Sequence, residues 1–292
     1  MYHRVAYLSL ALVLSASHAS PILTQRTVSI PASLFDDFVL YTKYSSAAYQ
    51  LVCPSPLGKT LIRSFETGPT PGFIALDTTR EEIIVSFRGT FSLADAVTDA
   101  KVLLAPFVSP GVIELSNVTV HRGFLDAFNN VAEDVLAAVR TELEKFPAYK
   151  VVVTGHSLGG AIAALAAPSL KTALPKANVK LFTFGQPRVG NRQYAQYVED
   201  LIGVDNIFRA VHTLDGVPTM VPRLWGYEHF ATEYWQFRDP LPFTPTPPCT
   251  TVTKCVGGED PACSDSIPST GINPFHLVYF GQVMAVNPQL CS

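Results

Sequence analysis

The chain has 292 residues, of which 48% are hydrophobic and 15% are charged, and its formal net charge is −3. This apolar content is sufficient for one large core, and the length suits one large domain. The weak negative charge gives no indication of nucleic acid or another polyanion as a partner.

The N-terminus carries the pattern of a secretory signal. A basic start is followed by an apolar run from Val5 to Leu14 and by the small-residue stretch Ser17–Ala19. The run is far shorter than the roughly 20 apolar residues needed to span a bilayer, which argues against a membrane anchor. We therefore expect residues 1–19 to be removed, leaving a secreted domain of residues 20–292.

The next part of the chain is predicted to contain one helix, two strands and a long irregular segment. The helix is expected from Ser33, which with Asp36 resembles a capping box. Strands are expected at Phe73–Leu76 and Glu82–Phe87. From Phe91 to Leu115 the segment is apolar but has no clean period, and long irregular loops in compact domains are usually functional.

Strands and helices then alternate. The predicted elements are a helix at Phe124–Phe146, strands at Val151–Thr154, Val179–Phe184 and Asn206–His212, and helices after Gly160 and at Arg192–Ile202. Alternation predicts an α/β fold with a mostly parallel sheet covered by helices on both faces, and sites beyond the C-terminal ends of its strands. The segment Trp235–Thr270 is rich in Pro, Thr, Gly and Cys and is predicted to form surface loops.

The strongest motif lies between the strand at Val151–Thr154 and the alanine-rich run that follows it. Gly155-His156-Ser157-Leu158-Gly159 matches G-x-S-x-G, the sharp strand-to-helix turn that exposes a nucleophilic serine. The bare pattern is common, and a surface turn is its bland interpretation. The flanking strand and helix are independent requirements, and both are met, so Ser157 is the predicted nucleophile.

A serine nucleophile needs a histidine base and a carboxylate that orients it. In this type of fold the chain order is Ser, then Asp or Glu, then His. Glu199 and Asp200 are expected to be solvated charges on a helix, and Asp205 a turn residue. Asp215 lies just past the end of a predicted strand, where sites form, and is the preferred acid.

The order of residues along the chain alone does not determine which histidine is the base. His121 and His156 precede Ser157 in the chain, and the histidines that follow Asp215 are His229 and His276. His276 opens a short apolar segment that would anchor its ring, whereas His229 follows an aromatic turn. Chain order therefore favours His276 and leaves His229 open.

Together these segments resemble the fungal class 3 lipases, a family that also contains feruloyl esterases. The matching pieces are Ser86–Thr90, Val120–Phe124, Thr154–Gly160, Phe184–Asn191, His212-Thr213 with Asp215, and His276 with Tyr279–Gly281. The resemblance implies an α/β-hydrolase-like domain with a Ser157–Asp215–His276 triad. It also implies an oxyanion hole at the backbone N–H groups of Thr90 and Leu158, and a mobile lid over the site at residues 91–98.

The chain departs from the family in the lid. Many members carry a Trp where this chain has Ala96, and the family's short-range disulfide has no cysteines here. The lid and the following Val102–Val108 are nevertheless strongly apolar. This composition favours an acyl chain as ligand and adsorption to a lipid surface.

Five cysteines and one sequon complete the inventory. The resemblance implies a Cys53–Cys291 disulfide, and the turn-rich stretch between Cys255 and Cys263 suits a local bridge, which leaves Cys249 free. The cysteine spacings match no zinc pattern, and neither metal nor cofactor is expected. Asn117-Val118-Thr119 is an N-glycosylation sequon that is expected on a surface loop.

The sequence thus predicts a secreted serine carboxylic-ester hydrolase, foremost a triacylglycerol lipase or esterase that acts on lipid at an interface. A feruloyl esterase acting on plant cell-wall esters is the alternative. A catalytically dead binding protein is disfavoured because competent residues occupy Ser157, Asp215, His276 and Thr90. A serine peptidase would use the same triad, but the match along the whole chain argues against it.

Overall fold

The structure is a computed structural model that describes residues 30–65, 70–90, 102–112, 115–237 and 251–292. The predicted signal at 1–19, the predicted lid at 91–98 and Cys249 lie outside these ranges. No helix within them is long and apolar enough to cross a membrane.

An eight-stranded sheet forms the centre of the molecule. Its strands follow the spatial order β1-β2-β3-β6-β7-β9-β11-β12, and they are β1 (Thr60–Phe65), β2 (Gly72–Asp77), β3 (Glu82–Phe87), β6 (Lys150–His156), β7 (Val179–Phe184), β9 (Ile207–His212), β11 (Glu233–Gln236) and β12 (Thr253–Lys254). The five strands from β3 to β11 run parallel, and β1, β2 and β12 are antiparallel edges. The predicted α/β architecture is confirmed.

Helices cover both faces of this sheet. They are α1 (Ala32–Ala47), α2 (Arg122–Asn129), α3 (Ala132–Lys145), α4 (Leu158–Ala173) and α5 (Arg192–Ile202). Because side chains alternate along a strand, Ile83 and Val151 enter one core with α2 to α5, whereas Ile84 and Val152 enter the other with α1. Near-continuous apolar strands buried on both faces are what a parallel sheet requires.

Short strands form two further sheets. The four-stranded sheet contains β4 (Leu104–Pro106), β5 (Thr119–His121), β8 (Gly190–Asn191) and β10 (Tyr227–Glu228), in the order β10-β8-β5-β4. Near the C-terminus, β13 (Val278–Tyr279) pairs with β14 (Gln282–Val283). Two disulfides, Cys53–Cys291 and Cys255–Cys263, join the pairs that were expected.

Three local expectations were wrong. Helix α1 begins after Pro31 without a side-chain cap, so the Ser33–Asp36 capping box does not form. The helix predicted at Phe124–Phe146 is two helices, α2 and α3, separated at Asn130 and Val131. The segment predicted to loop from Trp235 onwards begins inside a buried parallel strand, β11.

Candidate active site

Ser157 occupies a strained turn between β6 and α4. Its backbone has φ = 60° and ψ = −127°, a conformation that L-residues avoid. Its N–H donates to the Phe184 carbonyl at 2.9 Å, which fixes the turn against the end of β7. A Cβ on Gly155 would collide with the Gly159 backbone, so the motif glycine permits strand and helix to pass this closely. Ser157 is 1% exposed, and its Oγ has no hydrogen-bond partner within the described ranges.

A buried carboxylate–imidazole pair lies at the same end of the sheet. Asp215 follows β9, and its Oδ2 is 2.9 Å from Nδ1 of His276. The same oxygen accepts a 2.5 Å hydrogen bond from the Tyr279 hydroxyl, and Oδ1 accepts one from the Val217 N–H at 2.9 Å. Asp215 is 5% exposed and His276 is 3% exposed. The carboxylate therefore has three donors and holds the imidazole by one of its two nitrogens.

These contacts set the charge of the carboxylate. Burial by itself raises the pKa of Asp215, but the His276 imidazole and the hydrogen bonds from His276, Tyr279 and the Val217 N–H outweigh burial and lower the pKa below its ordinary value. An ionised Asp215 favours the His276 tautomer with a proton on Nδ1, which leaves Nε2 as a free base.

His276 lies in a short 3₁₀ helix, Pro274–Leu277, rather than on a long element. Asn273 precedes this helix and ties it to the Asp215 loop, because its Nδ2 donates to the Leu214 carbonyl at 2.7 Å. On the other side the backbone of Gly185, at the end of β7, packs against both partners. The pair is thus held between two loops at the C-terminal edge of the sheet.

The two predicted oxyanion-hole residues flank Ser157. Leu158 is the first residue of α4, where backbone N–H groups have no partner within the helix. Thr90 follows Gly89, and a Cβ built on Gly89 would lie 3.0 Å from Cβ of Ser157. The backbone that leads into Thr90 therefore runs directly beside the serine.

The remaining candidates from the sequence have other partners. His229 places its Nε2 2.8 Å from the Pro218 carbonyl, and His212 places its Nδ1 2.9 Å from the Phe275 carbonyl. Glu199 was expected to be a solvated charge, but its Oε1 accepts a hydrogen bond from the Ala231 N–H at 2.6 Å. Asp200 accepts from Gln196 on the helix surface, and Asp205 lies in the turn before β9.

Among the described residues, one group of side chains has the donor types of a metal site. Ligand atoms of Glu233, Cys255 and Cys263 lie within 4.8 Å of one another. Both sulfurs are joined in a disulfide, and Glu233 is paired with Arg209 at 3.0 Å. Because a disulfide sulfur is not a thiolate ligand, this group does not suit a metal ion.

Comparison with known proteins gives this arrangement a family. The class 3 lipase model matches residues 84–225. Secreted mono- and diacylglycerol lipase 1 of Fusarium solani is 31% identical, over 80% of this chain and 76% of the relative. The chain belongs to the class 3 lipase family.

Two further similarities extend the match. Secreted mono- and diacylglycerol lipase 2 of Gibberella zeae is 34% identical over 74% of this chain. The chain spans 62% of that relative's length, which is less than two thirds. The solved structure of a lipase from Rhizopus microsporus var. chinensis superposes with a TM-score of 0.76 at 31% identity, covering 97% of this chain and 98% of the other. The class 3 lipase fold therefore extends well beyond residues 84–225.

Sequence reasoning missed three polar residues that surround this class 3 lipase site. Tyr279 appeared only as part of a motif, although it donates to Asp215. His156 was set aside by chain order, yet its Nε2 is 2.7 Å from the His276 carbonyl. Tyr49 was not considered, and its hydroxyl is 2.7 Å from His156 Nδ1. The short spacing from His276 to Tyr279 was a usable signal, whereas Tyr49 lies more than 100 residues from its partner.

Proposed function

We propose that the protein is a secreted serine hydrolase that cleaves glycerol esters of fatty acids, with Ser157, His276 and Asp215 as its catalytic triad. The observation that carries the proposal is the buried Asp215–His276 pair at the same sheet edge as a strained serine, Ser157, whose Oγ has no hydrogen-bond partner among the described residues. Family membership and the names of the relatives support the reaction class.

The first half of the reaction forms an acyl-enzyme. Nε2 of His276 takes the proton of the Ser157 hydroxyl while Oγ attacks the ester carbonyl carbon, and the carbonyl π electrons move to oxygen. Backbone N–H groups of Leu158 and Thr90 stabilise that oxyanion, a contribution worth about 3–4 kcal/mol per donor in comparable sites. As the carbonyl reforms, the bond to the alcohol oxygen breaks, and His276 returns its proton to the leaving glycerol oxygen.

The second half uses water in place of the serine. His276 takes a proton from water, the resulting hydroxide attacks the acyl carbon, and the second tetrahedral intermediate collapses with cleavage of the bond to Oγ. Ser157 regains a proton from His276, and the fatty acid leaves. Throughout the cycle Asp215 remains ionised and stabilises the imidazolium, which is consistent with its three hydrogen-bond donors.

An apolar rim around the pair supports an acyl chain as the ligand. Leu214 precedes Asp215 and is 41% exposed, Leu277 follows His276 and is 36% exposed, and Ile272 is 41% exposed. Burial of an acyl chain against such side chains contributes about 0.8 kcal/mol per CH₂.

In the Val102–Val108 segment, Phe107 packs in the core while Leu103 is 67% exposed, so part of this apolar segment is available to lipid. Adsorption through the lid at residues 91–98 belongs to the same proposal.

The test compares wild type with Ser157→Ala on emulsified triglyceride, monoglyceride and methyl ferulate. We expect wild type to cleave the glycerol esters faster than methyl ferulate, and Ser157→Ala to lose several orders of magnitude in kcat while keeping its melting temperature. Efficient turnover of methyl ferulate without activity on glycerides would instead favour the feruloyl esterase. A Ser157→Ala variant as active as wild type would refute the triad.

Secretion is the cellular side of the proposal. The relatives are named secreted lipases, and two disulfides suit an oxidising compartment. Asn117, the sequon residue, is exposed in a turn ahead of β5 and is accessible to a glycan. N-terminal sequencing of protein from culture medium should begin near residue 20, and deglycosylation should increase its gel mobility. Retention in the cell, or a start at Met1, would contradict this.

A further inference from the structure

A buried chain of hydrogen bonds connects the segments that carry the proposed catalytic groups, yet the mechanism above does not use it. The Tyr49 hydroxyl at the end of α1 is 2.7 Å from Nδ1 of His156, and Nε2 of His156 is 2.7 Å from the backbone carbonyl oxygen of His276. Tyr49 is 5% exposed and His156 is 2% exposed. The ring of His156 also packs on that of His276, with centroids 4.4 Å apart.

The chemistry of the partners fixes the direction of each hydrogen bond. A carbonyl oxygen only accepts, so Nε2 of His156 carries a proton and donates to His276. Burial lowers the pKa of His156, and the neighbouring His276 lowers it further, so the ring is neutral. Its Nδ1 is therefore an acceptor, and Tyr49 donates to it. On the other side of the Tyr49 hydroxyl lies Gly89, whose backbone packs so closely that a Cβ built on it would collide with the hydroxyl oxygen.

The residues of this buried network adjoin the proposed oxyanion donor, nucleophile and base. Gly89 immediately precedes Thr90, His156 immediately precedes Ser157, and the carbonyl that accepts from His156 belongs to His276 itself. Gly89 also packs against both the Tyr49 hydroxyl and Cβ of Ser157. One tyrosine and one histidine thus link the backbones of the oxyanion donor, the nucleophile and the base.

We propose that Tyr49 and His156 are positioning residues that hold Thr90, Ser157 and His276 in register. They do so through the packing of Gly89 on the Tyr49 hydroxyl and through the hydrogen bonds from Tyr49 to His156 and from His156 to the His276 carbonyl. His276 needs such a tether because its 3₁₀ helix spans only four residues. Fixed hydrogen bonds to buried partners reduce its freedom more than solvent contacts would. The inference rests on the proposed function, since it explains how that site keeps its geometry.

The test separates positioning from stability by matched substitutions. Tyr49→Phe removes the hydroxyl, His156→Leu removes both ring nitrogens, and His156→Gln keeps an N–H donor where Nε2 stood. Ser45→Ala is the control, because Ser45 Oγ is 2.9 Å from Thr154 Oγ1 and joins the same α1 and β6 outside the chain of hydrogen bonds. Each variant is assayed on soluble p-nitrophenyl butyrate, with rates divided by the phosphonate-titratable serine so that unfolded protein does not count.

We expect kcat to fall about tenfold in Tyr49→Phe and about 100-fold in His156→Leu with KM unchanged, since small misplacements of reacting groups cost rate rather than binding. His156→Gln should recover most of the loss, and Ser45→Ala should retain the wild-type kcat even where its melting temperature falls. This ordering is not expected of residues that only stabilise the fold.

Two results would overturn the inference. If Tyr49→Phe and His156→Leu have the same kcat as Ser45→Ala, Tyr49 and His156 only stabilise the fold. The same conclusion follows if His156→Gln is as slow as His156→Leu. Ser157→Ala, assayed in parallel, identifies which proposal has failed. If it is inactive while Tyr49→Phe and His156→Leu are fully active, only the positioning role is wrong. If it is as active as wild type, the triad is refuted and the positioning role with it.

Discussion

Gly185 shows how a single hydrogen atom in place of a side chain keeps the carboxylate–imidazole pair intact. Its φ is +59°, and a Cβ there would lie 2.8 Å from Asp215 Oδ2 and 2.9 Å from His276 Nδ1. Both atoms belong to the 2.9 Å hydrogen bond of the pair. A methyl group at this position would have to displace one partner from the other.

Gly185→Ala should therefore abolish most activity, whereas Gly203→Ala should not. Gly203 also has a positive φ, +82°, but within the described structure the nearest atom to a Cβ there would be Asn206 Nδ2 at 3.6 Å. Both substitutions strain the backbone at a cost of about 1–3 kcal/mol, and only Gly185→Ala should also lower kcat, by about 100-fold or more. Urea unfolding and p-nitrophenyl ester kinetics on both variants measure the two effects. Equal kcat values would show that the pair tolerates the methyl group.

Residue types with a local signature were predictable from the sequence, and those defined by distant partners were not. The glycines two positions on either side of Ser157 mark it as a candidate nucleophile, and Asp215 follows a recognisable strand. The importance of Tyr49 and His156 depends on one contact across 107 residues and another across 120. No short window of sequence contains such a contact.

At the scale of elements, a buried arginine joins the disulfide-closed segment near β12 to the body of the molecule. Arg188, just after β7, makes two 2.7 Å contacts with Glu259 and one 2.9 Å contact with Asp265. It also donates to the Val221 carbonyl at 2.9 Å. Because Arg188 is 2% exposed, loss of its partners would leave a buried charge unpaired.

Glu259 makes this junction sensitive to acid. Burial by itself raises its pKa, but hydrogen bonds from Arg188 and nearby positive charge lower the pKa from its ordinary 4.5 to about 2. Because the pKa of Glu259 is lower in the folded than in the unfolded protein, its ionised carboxylate stabilises the fold. This stabilisation is fully present when the pH is above the unfolded-state pKa, and it is lost as pH falls from about 4.5 towards 2. The shift corresponds to about 3 kcal/mol.

Glu259→Gln should thus cost about 3 kcal/mol at pH 7 and flatten the acid side of the stability curve. Urea unfolding of both proteins between pH 2.5 and 7 measures this, and the two curves should converge as pH falls. Asp134→Asn, which breaks the exposed ion pair with Arg63, is the control that should cost much less. Parallel curves at all pH values would contradict the role of Glu259.

Elements with a clear period were predictable, while those shaped by tertiary pairing were not. Strand β7 and helix α5 have the predicted bounds, because β-branched and aromatic alternation or helical spacing marks them. Strand β11 was missed because its Glu233 is buried against Arg209 at 3.0 Å, and the sequence shows only a charge. The edge strand β1 was missed because most of its residues are only partly buried.

At the scale of the whole molecule, the proposed base, His276, lies in the part of the described chain with the least regular structure. After β12 the described chain has only two-residue strands and short 3₁₀ helices, and His276 lies among them. This segment is held by packing of Phe280 on Phe38, with ring centroids 5.0 Å apart, and by a hydrogen bond from Ser46 Oγ to the Val283 carbonyl. The Cys53–Cys291 disulfide adds a covalent link to the same face.

Replacement of both Cys53 and Cys291 by Ser should therefore destabilise the protein more than replacement of Cys255 and Cys263. The two bridges close 238 and 8 residues of sequence. Chain-entropy models assign about 5 kcal/mol to the longer loop and about 2–3 kcal/mol to the shorter one.

Urea unfolding gives the free energy of unfolding of each double variant. In chain-entropy models a disulfide acts by restricting the unfolded chain, so its removal leaves the folded structure unchanged. The Cys53→Ser/Cys291→Ser variant should consequently keep its kcat at 25 °C, because packing of Phe280 and the hydrogen bond that His276 Nδ1 donates to Asp215 still position His276 in the folded protein. A loss of kcat in proportion to the loss of stability would show instead that the disulfide shapes the folded site. Equal destabilisation by the two double variants would show that loop length does not determine the effect.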